Sequence, residues 1–485
     1  MNRYEFLKKL GLGSVLALSS ESLLSSCMGN MDHSGSVTPQ IITDGEFKNI
    51  LKIPETISGT TALTAQSTQD TLASSTKVNV LGYRNGLLGP TIRVQKGTTV
   101  SVNFQNKLID DSNVHWHGLV IPANMDGGPE QMVMANSSFN YTFTVNQQAG
   151  TNWYHPHVHY LTAEQVVQGL AGLFIIESPE EKNLNLPSGN YEIPLVIQDK
   201  RFNTDGTIKY QPSMMEIMTG YLGDNILVNG TSKPYIEVAT RFYRFRVLNG
   251  STARIYNLAL SNGADFYVIG SDGGILPQPE KVKNLILGSG ERADILIDFS
   301  SVKVGEMVYL TNETFTTMGT AQGTQSFKIM SFNVSKQETD TFKLPTSLLP
   351  LTKTTASSKT RTFALTMDMM AMSGGMHKIN GKVYKSDRID ETVTFGATEI
   401  WEFDNSTGDE PHPMHIHGVQ FQVVSRSGGR NAILPHEKGW KDTVLVAPKE
   451  KVQVIMKFEQ KGKFVFHCHN LEHEDDGMML NFEVK

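Results

Sequence analysis

Phe464-Val465-Phe466-His467-Cys468-His469-Asn470-Leu471-Glu472-His473 runs on through Glu474 to Met478. Phe464 to Phe466 read as a buried strand, and side chains alternate faces along a strand. His467 and His469 therefore point one way and Cys468 the other. One backbone segment can touch two metal centres, one on each face. Cys468, His473 and Met478 offer a thiolate, an imidazole and a thioether. One further His completes a His₂Cys site with a weak axial Met, the blue-copper electron-transfer set. The two imidazoles on the opposite face suit a second, nitrogen-rich copper centre.

The other histidines supply what is missing. Of fourteen His, eight fall in four H-x-H pairs: His115/His117, His155/His157, His415/His417 and His467/His469. Random placement gives fewer than about one such pair. The spacing puts both rings of a pair on one strand face. Eight imidazoles suit three coppers, two with three His each and one with two. His412 lies an odd number of residues from His415, so it faces the other way and can join Cys468. The count closes with four coppers. His33, His159, His377 and His436 are left as non-ligands, beside the metal sites or at the surface. Zinc sites are usually four-coordinate and isolated, and one Cys with ten His does not divide into them.

The 485 residues suffice for about three domains. A net charge of −6 without a basic block argues against nucleic acid as a partner. Frequent Gly, 42 in all, and scarce helix-period stripes favour an all-β protein. Residues 1–27 read as a signal peptide. Arg3, Lys8 and Lys9 precede a short apolar run, and Leu24-Ser25-Ser26-Cys27 resembles a lipoprotein cleavage box. Export to the periplasm or cell envelope, with attachment through a lipidated Cys27, is the expectation. Arg3 to Lys8 also resembles a twin-arginine motif, although Tyr4 stands where the second Arg belongs. Cys27 leaves Cys468 without a disulfide partner, and a lone thiol kept in an exported chain serves chemistry.

Residues 28–75 read as a flexible tether, with regular structure from about Val78. Val100 to Gln105 and Tyr141 to Val145 alternate apolar and polar, giving a first β domain over 76–178. Tyr243 to Val247 alternates within a second domain, 179–334. Asn249-Gly250, Asn262-Gly263 and Asp272-Gly273 are turn signals there. No His occurs between Tyr160 and Met376, so this domain reads as structural and free of copper ligands. A linker, 335–359, leads to a third β domain, 360–485.

The chain resembles the three-domain multicopper oxidases. The resemblance rests on His115-Trp116-His117-Gly118, His155-Pro156-His157, His412-Pro413-Met414-His415-Ile416-His417-Gly418 and His467-Cys468-His469, with His473 and Met478 at family spacing. It extends through Gly89-Pro90-Thr91-Ile92, Val247-Leu248-Asn249-Gly250 and Gly439-Trp440-Lys441-Asp442-Thr443, and is strongest toward bacterial copper-efflux oxidases and laccases. It implies three cupredoxin-like Greek-key β-sandwiches. It also implies a type 1 copper on His412, Cys468, His473 and Met478, and a type 2 copper on His115 and His415. A type 3 pair would sit on His117, His155, His157, His417, His467 and His469. Electrons from a reductant would pass through Cys468 to the cluster, where O₂ becomes water. Asp126 and Glu474 stand where the family places acidic proton donors. A copper-binding or division-associated relative without catalysis is the competing reading. Such relatives lose ligands, and this chain keeps all of them. A two-domain nitrite reductase is disfavoured by the three domains and the full set of pairs.

The reductant is read from softer signals. Met367, Met369, Met370 and Met372, with Asp368, form a thioether-rich loop suited to Cu(I). Asp409 matches an acidic residue of the efflux oxidases' cuprous site, but Pro411 replaces a Met and their long Met- and His-rich insert is absent. The expectation is a monomer that oxidises both Cu(I) and small phenols.

Overall fold

Alternation builds the sheets. Strand Thr99–Asn106 turns Val100, Val102 and Phe104 inward and Thr99, Ser101 and Asn103 outward, and Thr398–Asp404 likewise buries Trp401 and Phe403 on one face. Each such ring or branched side chain withdrawn from water contributes about 1.5–3 kcal/mol before the entropy of ordering is counted. This computed structural model describes residues 39–43, 45–72, 77–318, 323–355, 357, 359–371 and 375–485. Cys27 and the export segment, His33 and Met372 lie outside the described residues. Six sheets pair into three sandwiches. Two four-stranded sheets close over Leu63, Phe104, Trp116, Tyr141 and Phe174. A six- and a seven-stranded sheet close over Leu195, Phe245, Ile295 and Phe332. Two five-stranded sheets close over Phe363, Trp401, Phe466, Cys468 and Phe482. Among the described residues no helix is long and apolar enough to cross a membrane.

Regular structure starts earlier than the sequence implies. Thr60–Thr71 is a twelve-residue strand, paired in parallel with Thr99–Asn106 and antiparallel with Lys77–Gly82. Its Thr-, Gln- and Ser-rich composition reads as a tether, yet Leu63 and Ala65 reach the core and Thr favours extended backbone. Strand Asn49–Ile50 crosses to the second sandwich and pairs with Pro234–Ala239. Residues 337–358 hold no strand or helix among those described, and Leu348 donates its backbone N–H to Pro277 O of the second sandwich at 2.8 Å.

Strand Phe242–Asn249 departs from the half-solvated pattern its alternation implies. Every residue after Phe242 is buried. Arg244 and Arg246 point into a seam and are neutralised by Glu181, Glu192 and Asp294. Asn262-Gly263 and Asp272-Gly273 are turns, the second joining strands Phe266–Ser271 and Gly274–Val282.

Candidate metal centres

Strand Gly462–Cys468 sits between Met479–Val484 and His412–Ile416, which sets His467 directly across from His415 and Cys468 across from Met414. In the first sandwich His115 and His155 form a bridge of their own. The register therefore brings all four H-x-H pairs to one seam between the first and third sandwiches, every ring buried.

On one face of the strand, Cys468 Sγ lies 3.5 Å from His412 Nδ1 and 3.7 Å from His473 Nδ1. Met478 is fully buried in the same core and its carbonyl accepts from the Cys468 N–H. His473 donates its Nε2–H to Met218 O at 2.9 Å, which leaves Nδ1 bare and facing the thiol. Burial pulls His412 down to about 3 and holds His473 well below the ordinary imidazole value, so both are neutral ligands. Burial pushes the Cys468 thiol up, so it ionises only when a cation replaces its proton.

On the other face the imidazole nitrogens converge. His115 Nε2 and His415 Nε2 are 3.4 Å apart. Their Nδ1–H groups donate to the Asp126 and Asp442 backbone carbonyls at 2.9 and 2.8 Å. His467 Nε2 lies 3.1 Å from both His157 Nε2 and His417 Nε2. His117 Nδ1 lies 3.3 Å from His155 Nε2, and His469 stands against both rings with its Nε2 unpartnered. His115 stacks on His417 and His117 on His415. Burial above all holds His117, His155, His157, His415, His417 and His469 neutral. Facing lone pairs, a buried thiol beside two bare imidazole nitrogens and an orphaned Nε2 form a donor set that fits copper at each expected place.

The carboxylates differ. Asp126 Oδ2 accepts from His417 Nδ1 at 2.7 Å, while its buried Oδ1 has no hydrogen-bond partner. Glu474 lies against two of the expected ligand rings, 3.4 Å from His157 Nδ1 and 3.0 Å from His467 Nδ1. Burial opposes its charge, but those imidazoles outweigh the penalty and hold it well below the usual carboxylate range.

Several residues near the metals carry no signal of their own in the sequence. Asp442, from the Gly439-to-Thr443 stretch, meets His117 Nε2 at 2.9 Å, and Arg292 of the second sandwich holds that carboxylate. Ser289 Oγ lies 3.2 Å from His469 Nδ1. The second sandwich thus supplies no ligand yet touches both centres. His377 is more than a bystander: it stacks on His473, with centroids 3.6 Å apart, between Glu410 and Asp476. Burial works against charge on His377, but Asp476 and Glu410 prevail and raise its pKa. His159 is half-buried and stacks on Tyr160, and His436 is buried 3.7 Å from Glu291.

The expected cuprous set is only partly assembled. Met367, Met369 and Met370 are exposed, Met370 by 89%. These thioethers are not core filler. Both carboxylates are taken: Asp368 pairs with Lys378 at 2.7 Å, and Asp409 pairs with Lys449 at 2.8 Å on the open surface. The acidic group nearer the type 1 ligands is Glu410, 3.8 Å from His473 Nε2.

Three β-sandwiches with a buried thiol site and a buried eight-imidazole cluster define a copper oxidase. The chain belongs to the multicopper oxidase family, oxidoreductases that couple one-electron oxidation of a reductant to four-electron reduction of O₂ to water. Multicopper oxidase family patterns match residues 64–181 and 351–485. The chain is 36% identical to multicopper oxidase mco of Staphylococcus haemolyticus, over 84% of each chain. It is 35% identical to a laccase of Bacillus subtilis, over 83% of this chain and 90% of that one. The crystal structure of McoA multicopper oxidase from Aquifex aeolicus superposes with a TM-score of 0.84 at 36% identity, covering 90% of this chain and 99% of that one. Likeness at 34% also extends to cell division protein FtsP of Escherichia coli, over 86% of this chain and 87% of that one.

Proposed function

We propose that this oxidase is exported, held at the cell envelope through a lipidated Cys27, and takes electrons from both Cu(I) and small phenols in the service of copper tolerance. The observation that carries the substrate reading is the setting of His473. Helix Met214–Thr219 of the second sandwich lies over its outer nitrogen and leaves Met214 and Met215 exposed. On the other side, Asp476 accepts the Gly375 and Met376 N–H groups at 2.8 and 2.7 Å, which ties the Met-rich loop to the end of helix Leu471–Asp475. Soft thioethers thus flank a residue of the type 1 set, and among the described residues no long insert stands over it to keep out an aromatic ring.

Copper bound by these residues supplies the one-electron steps and the reduction of O₂. The chain does the rest. His412, Cys468, His473 and Met478 would hold the type 1 ion in a dry core, and the backbone of His467-Cys468-His469 joins the two sites. Asp126 and Glu474 handle protons beside the cluster. Asp126 Oδ1 is the free oxygen, and Glu474 faces two ligand imidazoles.

Replacing Met367, Met369, Met370 and Met372 together with Leu keeps bulk and removes the soft ligands. Cu(I) oxidation should fall while phenol oxidation holds. Both rates unchanged would leave the laccase activity standing alone. Cys27→Ser should move the protein from the membrane fraction to the soluble envelope fraction, and unchanged membrane recovery would remove the lipid anchor.

A further inference from the structure

His117 and His417 occupy matching places in two H-x-H pairs, and a buried carboxylate holds each. The grip is on opposite nitrogens. Asp126 takes Nδ1 of His417 and leaves Nε2 for metal. Asp442 Oδ1 takes Nε2 of His117 at 2.9 Å and leaves Nδ1 facing His155. An ionised carboxylate only accepts hydrogen bonds. The proton of neutral His117 must then sit on Nε2, and the lone pair on Nδ1.

Asp442 is held still by Arg292. One guanidinium nitrogen donates to Oδ1 at 2.7 Å and the other to Oδ2, with both side chains wholly buried. The same guanidinium also donates to the carbonyls of Thr151, Gly290 and Asp272, so it has no freedom to swing away. Thr443 Oγ1 donates to Asp442 Oδ1 at 2.9 Å, which leaves its oxygen able only to accept from His117 Nε2. Room for the pair is made by Gly118. A Cβ there would lie 2.5 Å from Asp442 Oδ2 and 2.8 Å from an Arg292 nitrogen. Asp126 has no such arginine, and one of its oxygens is free.

We infer that Arg292 and Asp442 are positioning residues for the type 3 copper pair: together they fix the His117 proton on Nε2 and thereby present Nδ1 as the ligand atom. This rests on the family's copper assignment and adds to it a contribution from the second sandwich.

The test uses copper-loaded full-length protein. In Asp442→Leu a side chain of similar shape takes away the carboxylate that accepts from His117 Nε2. The ring proton is no longer pinned there, can sit on Nδ1 and then blocks the metal. Copper should drop from four ions per chain to three, the blue type 1 band should remain, and the orphaned type 3 ion should become visible by electron paramagnetic resonance. Arg292→Lys keeps the buried charge but loses the two-pronged grip, and should give the same change at partial occupancy. Arg244→Met breaks a comparable buried ion cluster that touches no imidazole. It should lower the melting temperature and still bind four coppers with a wild-type spectrum. Should Asp442→Leu fail to turn blue, Arg292→Lys decides. Blue variants that keep four coppers and the wild-type resonance spectrum would overturn the inference. So would equal copper loss in Arg244→Met.

Discussion

Cys468 is one side chain with two surroundings. Its sulfur faces His412 and His473, while its neighbours His467 and His469 face the cluster. Cys468→Ser should therefore abolish the blue colour and nearly all turnover while the other three coppers stay bound; a colourless wild type at full copper occupancy would sink the assignment. Proton supply is separable from electron supply. Glu474→Gln and Asp126→Asn should slow O₂ reduction by about 10²–10⁴-fold, the range of general-acid contributions, and leave anaerobic bleaching of the blue band fast. Equal slowing of both would place these carboxylates elsewhere in the mechanism. The candidate ligands are legible in the sequence because few residue types bind copper and the H-x-H spacing is rare by chance. Asp442 and Arg292 are not legible. Aspartate and arginine serve many ends, and what makes this pair distinctive is its burial beside His117, which no spacing encodes.

Strands whose burial alternates were readable where the outward face meets water, as in Thr99–Asn106. The pattern misleads where the polar face is itself buried, as in Phe242–Asn249, or where the strand is built from Thr, Gln and Ser, as in Thr60–Thr71. The helix over His473 belongs with these hidden elements, since six residues carry too short a period to recognise. Its start is fixed by a capping box in which the Ser213 side chain accepts the Glu216 N–H and Glu216 accepts the Ser213 N–H. Ser213→Ala should loosen this helix by about 1 kcal/mol, read as about fivefold faster hydrogen exchange at Ile217 to Thr219. No change in exchange would mean that packing against helix Leu471–Asp475, rather than the cap, holds it.

The three sandwiches meet across seams that carry charge as well as oil. Lys200 of the second donates to Val167 O of the first at 2.6 Å while almost wholly buried. Burial pulls its pKa down to about 7, with Asp199 only partly opposing. A lysine lowered in this way costs stability wherever it is charged in the unfolded chain. The cost is full below pH 7, shrinks as pH climbs toward 10.5 and is gone above that. Its ceiling is about 4–5 kcal/mol. Lys200→Met should therefore stabilise the protein most below pH 7, and its advantage in melting temperature should shrink toward pH 10.5; an advantage independent of pH would reflect packing alone. The seams also bear on how such a protein is inherited and rebuilt. A domain with no metal ligand looks like a spacer that recombination can exchange at will. Because the guanidinium of Arg292 crosses its boundary to reach Asp442, the middle sandwich is not such a spacer. A chimera given a middle domain without that arginine would fold and turn blue, yet it would inherit an oxygen site missing one of its fixed points.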